Sequence, residues 1–288
     1  MIKLKENTGN YRSLSQIFSP SHFKEVVKKG DYSNINYKIQ KHLVGFDTKD
    51  YTSILGFLYK KLQKNYRNEY LFKNALLNKK LLGEHCIKST TVLNEFKIEN
   101  SIADFVLLNG EVRVFEIKTD LDSFEKLDKQ IKDYRKFANK IFIVVSSNNA
   151  SKISKLYSNT EIGVIEFTNQ NTLKTIKEAN NDVSGFDYLT IFKTLRKNEY
   201  LEILVDYFGY IPNVPNTQIF KESFELIKEI DIVTFQSLAF KKLKERKLKC
   251  PEVLESELIP IELKHLCYTL NFSKNEYNNL FEFLKTTI

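Results

Sequence analysis

Three charged side chains set into strands with no polar face limit what this chain can fold into. TTVLNEFKI (90–98), SIADFVLL (101–108) and EVRVFEIK (111–118) are rich in β-branched and aromatic residues, with Asn109-Gly110 between the last two. In 101–108, Ala103, Phe105 and Leu107 fall on one face and Ile102, Val106 and Leu108 on the other. A strand apolar on both faces belongs between helical layers, which predicts an α/β fold. An ionisable group there costs several kcal/mol unless it is paired or binds a metal. Yet Asp104 lies within one such strand, and Glu116 and Lys118 within the next.

Helical signals flank these strands. YRNEYLFKNALLNKKLL (66–82) carries good helix formers, with Gly83 as a stop. LDSFEKLDKQIKDYRKFA (121–138) places Phe124, Leu127, Ile131, Tyr134 and Ala138 at helical spacing, with Asp120 or Asp122 as its cap. KIFIVVS (140–146) and EIGVIEF (161–167) read as two more strands separated by a short helical stretch. Residues 1–60 read as helical, and so does the chain from Phe186 onward, broken by prolines at 212, 215, 251 and 260. The expected division is an N-terminal helical segment at 1–62, an α/β core at 63–170 and an all-α domain at 171–288.

Composition narrows the function. With 42% hydrophobic and 28% charged residues the chain can bury a core. Its 44 Lys and Arg against 36 Asp and Glu leave a net charge of +8, which favours a polyanionic partner such as nucleic acid. MIKLKENTGN has no apolar leader segment and no apolar run approaches 18 residues, so neither secretion nor a membrane span is expected. Cys86, Cys250 and Cys267 make no Cys-x-x-Cys pair, and His22, His42, His85 and His265 are scattered, which argues against zinc. A cytoplasmic location is the expectation.

Glu-x-Lys occurs four times, at Glu95/Lys97, Glu116/Lys118, Glu245/Lys247 and Glu262/Lys264. Only Glu116/Lys118 ends an apolar strand that follows a strand with an embedded Asp. Period two puts Glu116 and Lys118 on one face, roughly 6–7 Å apart along the strand. Asp104 on the neighbouring strand completes a carboxylate pair that suits a hard cation. Such a cation would polarise a phosphodiester, and the Lys118 ammonium would orient the attacking water. The plain alternative is a strand-end ion pair, worth under ~1 kcal/mol if exposed. Gln130 also reads as an ordinary exposed helix residue, Tyr134 as core, and KLDKQIKDYRK as a solvated face.

Asp104, eleven residues and then Glu116-Ile117-Lys118, in helix–strand–strand–strand–helix–strand order, resembles the PD-(D/E)XK nuclease superfamily. Gln130-x-x-x-Tyr134 is similar to the motif of its recombination-type and exonuclease-like branches. NEYLFKNAL (68–76), Glu95-Phe96 through Asp104 and FEIKTDLDSFEKLDKQIKDY (115–134) are similar to an uncharacterised bacterial family of nuclease-like proteins. Ala103 stands where the motif's name has Pro, which leaves the ligand in place.

The resemblance implies a restriction-endonuclease-like αβββαβ core and metal-dependent hydrolysis of DNA, with RNA left open, in phage defence or a mobile element. Asp104, Glu116 and the Ile117 carbonyl would hold Mg²⁺, for which Mn²⁺ substitutes. Lys118 would act on the water, and Gln130 would hold Lys118 or a phosphate. Lys129, Tyr134 and Arg135 are the candidate nucleic-acid contacts. Cutting both strands with one site per chain implies a homodimer. The alternative is a catalytically silent nuclease fold that binds nucleic acid or protein.

Two expectations are geometric. A two-residue Asn109-Gly110 turn would send Asp104 and Glu116 to opposite faces, so the loop must be odd in length, with Gly110 left-handed, or a bulge must restore parity. Superfamily members often add an acid from the helix before the strands. Among Glu69, Glu84 and Glu95, the helical face shared with Phe72 and Leu76 favours Glu69 as a water-mediated metal ligand. An i,i+4 pair with Lys73 is its plain alternative.

Overall fold

The computed structural model describes residues 2–5 and 10–288. The reading of MIKLKENTGN falls in part on 1 and 6–9, outside the described residues. Backbone contacts gather the chain into two units, Met1–Glu84 with Leu248–Ile288, and His85–Lys247.

The first unit opens with β1 (Lys3–Leu4) against β2 (Leu43–Val44) and the helices α1 (Asn10–Ser15), α2 (Pro20–Lys29), α3 (Ser33–His42), α4 (Tyr51–Asn65) and α5 (Glu69–Leu76). Local chemistry sets their limits. Ser19 caps α2 ahead of Pro20 and left-handed Gly30 ends it, while Asp50 caps α4 by accepting the Ser53 N–H. After α5 the coil widens into a π-helical stretch, Leu77–Gly83, so the single helix expected over 66–82 is split. The wider turn keeps Leu77 and Leu81 both buried.

The second unit holds β3 (Thr91–Ile98), β4 (Ser101–Asn109), β5 (Glu111–Lys118), α6 (Leu127–Tyr134), β6 (Lys140–Ser146), α7 (Ser147–Leu156), β7 (Gly163–Phe167) and β8 (Leu173–Lys177). Helices α8 (Tyr188–Thr194), α9 (Lys197–Phe208), α10 (Ile219–Ile227) and α11 (Ile232–Lys244) follow. The unit is mixed α/β, with one six-stranded sheet in the order β3-β4-β5-β6-β7-β8. β3 to β5 form an antiparallel meander, β5 to β7 run parallel, and β8 returns antiparallel at the edge. The reading of the sequence contained no β8. As an edge strand it buries only Leu173 fully, so it carries little apolar pattern.

One sheet face presents Val106, Val114, Ile143 and Val145 to Leu127, Ile131 and Tyr134 of α6, in a core shared with α8, α9 and α11. On the other face the rings of Phe105, Phe115 and Phe142 pack on one another. Ile102, expected to be buried, is 53% exposed. It lies beyond the last β4–β5 pair, Phe105↔Phe115, where β4 has a partner only in β3. The helix expected over 121–138 is also shorter, because its two candidate caps are used elsewhere. Asp122 turns back to accept from the Thr119 N–H and hydroxyl at 2.8 and 2.7 Å. Asp120 accepts from Ser146, Asn148 and Asn149 at the start of α7.

The chain returns to the first unit through α12 (Pro251–Glu255), α13 (Lys264–Leu270) and α14 (Lys274–Lys285). The Asn279 amide donates to the Val27 carbonyl at 2.9 Å, the Thr52 hydroxyl donates to the Leu284 carbonyl at 3.0 Å, and Phe283 packs on Tyr51. Parts of the segments 1–62 and 171–288, separate in the sequence reading, thus share one unit. Among the described residues no helix is long and apolar enough to cross a membrane.

Candidate active site

The β4–β5 hairpin turns on a single residue, Gly110 at φ 72°, between the paired Asn109 and Glu111. Only glycine takes that conformation without a Cβ penalty. Paired residue numbers therefore add to an even total, and the register sets position 104 across from position 116. Where the backbone pairs stop, the Asp104 carboxylate accepts the Ile117 N–H at 2.8 Å. The N–H and C=O of a strand residue point to the same side, so the Ile117 carbonyl faces the strand that carries Asp104.

Glu116 and Lys118 are nearly sealed, at 1% and 9% exposure. The Lys118 Nζ donates to Glu116 Oε1 at 2.8 Å and to Gln130 Oε1 at 3.0 Å. The Gln130 Nε2 donates to the same Glu116 Oε1 at 2.5 Å, which fixes the amide's orientation because its oxygen must face the ammonium. The Tyr134 hydroxyl shares its proton between Glu116 Oε2 at 2.7 Å and the Ile102 carbonyl at 2.8 Å. Helix α6 delivers Gln130 and Tyr134 one turn apart, and it is pinned to β4 by the Ser101 hydroxyl donating to Asp133 at 2.7 Å. Burial raises the Glu116 pKa above the usual carboxylate range, against the pull of Lys118 and the bonds from Tyr134 and Gln130. Burial and the Glu116 charge also raise the Tyr134 pKa, so its hydroxyl stays a donor.

The β3–β4 register adds a residue that the sequence reading weighed and passed over. Asn94↔Phe105 and Phe96↔Ala103 flank Glu95, which therefore lies across from Asp104. Oxygens of the two carboxylates lie within 4.8 Å. Like charges facing each other across a sheet are unfavourable. Glu95 also holds φ at 51°, a left-handed backbone that costs a non-glycine residue about 1–2 kcal/mol. The tight Glu99-Asn100 turn, with Ile98 paired to Ser101, fixes that register and was the signal that could have found Glu95.

The remaining candidates are placed as follows. Glu69 opens α5 in the first unit and pairs with Lys73 at 2.5 Å. Lys129 is exposed on α6, and Arg135 pairs with Asp182 at 3.1 Å. The Tyr134 ring is fully buried, so it has no face for a nucleic acid, and its hydroxyl serves Glu116.

The donor set suits a hard divalent cation. Asp104, Glu116 and the Ile117 carbonyl offer oxygen only, the ligand type preferred by Mg²⁺ and Mn²⁺. Glu116 accepts two bonds at Oε1 and one at Oε2, which leaves acceptor capacity on Oε2.

Comparison with known proteins sets this site in context. Protein cII of Enterobacteria phage P4 is 31% identical over 146 residues, which cover 48% of this chain and 50% of that protein. The RecBCD enzyme subunit RecB of Borreliella burgdorferi is 23% identical over an alignment of 291 residues, covering 97% of this chain and 23% of that protein. The chain thus spans half the length of one relative and under a quarter of the other. A solved structure, the SPO1766 protein of unknown function from Silicibacter pomeroyi, aligns over 33% of this chain and 62% of its own at 16% identity, with a TM-score of 0.27. The family described as Bacteriophage P4 protein cII matches residues 62–265, a span that holds both the sheet and the Asp104–Glu116–Lys118 constellation, and the chain belongs to that family.

Proposed function

We propose that the protein is a metal-dependent nuclease of PD-(D/E)XK type, acting on DNA through a restriction-endonuclease-like core built on β3, β4, β5, α6 and β6. The interlock of Glu116, Lys118, Gln130 and Tyr134 beside Asp104 carries this reading. A strand-end ion pair would need no amide and phenol to fix it. The likeness to an enzyme subunit, RecB, is in keeping with the proposal.

Asp104, Glu116 and the Ile117 carbonyl would hold Mg²⁺, with Mn²⁺ as a substitute and Glu95 beside Asp104 as an added acid. The bound ion would supply Lewis acidity at the scissile phosphate. Lys118, fixed by Glu116 and Gln130, presents its ammonium to the attacking water and to developing negative charge. Gln130 positions Lys118. Tyr134 favours the ionised form of Glu116 by donating to it. Lys129 on α6 and Arg135 just past its end, beside its partner Asp182, would contact phosphate. Glu69, on the α5 face that carries Phe72 and Leu76, would supply the further acid that the resemblance implies.

The deciding experiment incubates purified protein with circular DNA, linear DNA and RNA, in Mg²⁺, Mn²⁺ or EDTA. Metal-dependent cleavage that is lost in Asp104→Ala, Glu116→Ala and Lys118→Ala, each still folded, supports the proposal. Binding without cleavage in any metal would replace it with the silent, binding-only alternative. Size-exclusion with light scattering then tests the homodimer implied by double-strand cutting.

A further inference from the structure

The first unit contains a cleft of about 820 Å³ with an unusual lining. Lys3 from β1, Lys49 from the turn before α4 and Lys61 from α4 converge on an apolar floor of Ile2, Leu4 and Phe57. Phe57 and Lys61 are one helical turn apart, and the ammonium lies 5.4 Å from the ring centroid. Among the described residues no carboxylate pairs with any of the three lysines. Nearby Lys5, by contrast, is engaged by the Gln40 carbonyl. Three positive charges with no carboxylate partner among the described residues, set around an apolar floor, make a local field that concentrates anions.

We infer that this cleft binds a single-stranded stretch of nucleic acid, with phosphates at Lys3, Lys49 and Lys61 and a base against Phe57. An inorganic anion would satisfy the lysines but leave the apolar floor wet, and the cleft is of a size that takes larger ligands. A duplex hides the faces of its bases, whereas a single strand offers them for stacking on an aromatic ring between basic side chains. The inference deepens the nuclease reading by naming the form of nucleic acid held on the first unit. Its test needs no cleavage.

Fluorescence anisotropy of a labelled oligothymidylate, titrated in EDTA over a range of salt, reads the interaction directly. Each phosphate contact on a single strand contributes about 0.7 to the slope of log affinity against log salt. The triple variant Lys3→Ala, Lys49→Ala, Lys61→Ala should therefore bind more weakly, with a slope shallower by about 2. Phe57→Ala should weaken binding about 5- to 100-fold and leave the slope unchanged. Wild-type affinity and slope in the triple variant would overturn the inference, and so would equal losses for single strand and duplex. Weaker oligonucleotide binding in a protein that never cleaves would retire the nuclease reading and keep the cleft. Normal binding by the triple variant of an active nuclease would do the reverse.

Discussion

Glu116-Ile117-Lys118 and Glu262-Leu263-Lys264 share one pattern and similar burial, yet they do opposite things. Exposure is 1% and 9% for the first pair, 9% and 8% for the second. In β5, side chains two apart share a face, so Lys118 reaches Glu116 at 2.8 Å. Glu262 lies in a tight 3₁₀ turn that runs into α13, where residues two apart diverge. Lys264 there donates to the carbonyls of Leu254 and Ser256 at 2.5 and 2.7 Å, and the Glu262 carboxylate lies against Gly56. Burial raises the Glu262 pKa and lowers that of Lys264. The tripeptide alone makes no site. Strand geometry turns it into a coupled pair, and helical geometry turns it into two separate structural anchors.

The contrast breaks most visibly in catalysis. The double variant Glu116→Gln, Lys118→Met should lose at least about 10²- to 10³-fold in cleavage rate. Its thermal midpoint should match or exceed that of the parent, since both buried charges leave together. A double variant that cleaves at the parental rate would end the assignment.

Lys264→Met should show the mirror image. A buried and a partly buried carbonyl lose their donor, at a cost of about 1–3 kcal/mol in denaturant unfolding, with cleavage of the folded protein unchanged. Loss of cleavage at unchanged stability would erase the contrast between the two pairs.

A subtler effect belongs to Tyr134→Phe. Under the proposed function Glu116 must be ionised to hold a cation, so its raised pKa should put the acid limb of the cleavage–pH profile above the ordinary carboxylate value. Activity therefore falls as pH drops through that limb. Tyr134 donates to the charged form and opposes the rise, so the Phe variant should lose activity at a higher pH than the parent. An unmoved limb would mean that Tyr134 only packs.

Smallest is the effect expected of Glu69→Gln. If the resemblance holds at this position, the Mg²⁺ concentration for half-maximal cleavage rises. The lost pair with Lys73 costs only about 0.3–0.5 kcal/mol. An unchanged Mg²⁺ titration would leave Glu69 as a surface partner of Lys73.

The residues of the coupled pair were legible because β5 is a central strand. Its run of apolar neighbours marks 111–118 as a strand, and period two then aligns Glu116 with Lys118. The even parity of the β4–β5 hairpin was also within reach, since Gly110 permits a turn that Asn109 alone would not. Other features were hidden because their cause lies outside the local pattern. Asp122 looked like a helix cap until Thr119 claimed it. Gln130 and Tyr134 read as surface and core, because nothing in a helical stripe shows which strand residue lies beneath it. For Glu95 the Glu99-Asn100 turn gave the register, but the backbone twist at the residue itself is encoded by no alternation of side chains.

That twist has a consequence for how the protein keeps to itself. β3 is an outer strand of the sheet, and outer strands are where another chain's strand can template. A straight edge of eight residues would be an invitation to aggregate. At Glu95 the left-handed backbone interrupts the row, and an incoming strand can follow the edge on one side of the break but not through it. The chain thus breaks the line of its outer strand with the same residue that brings a second carboxylate to Asp104. Straightening β3 with an ordinary strand former at position 95 would remove both at once.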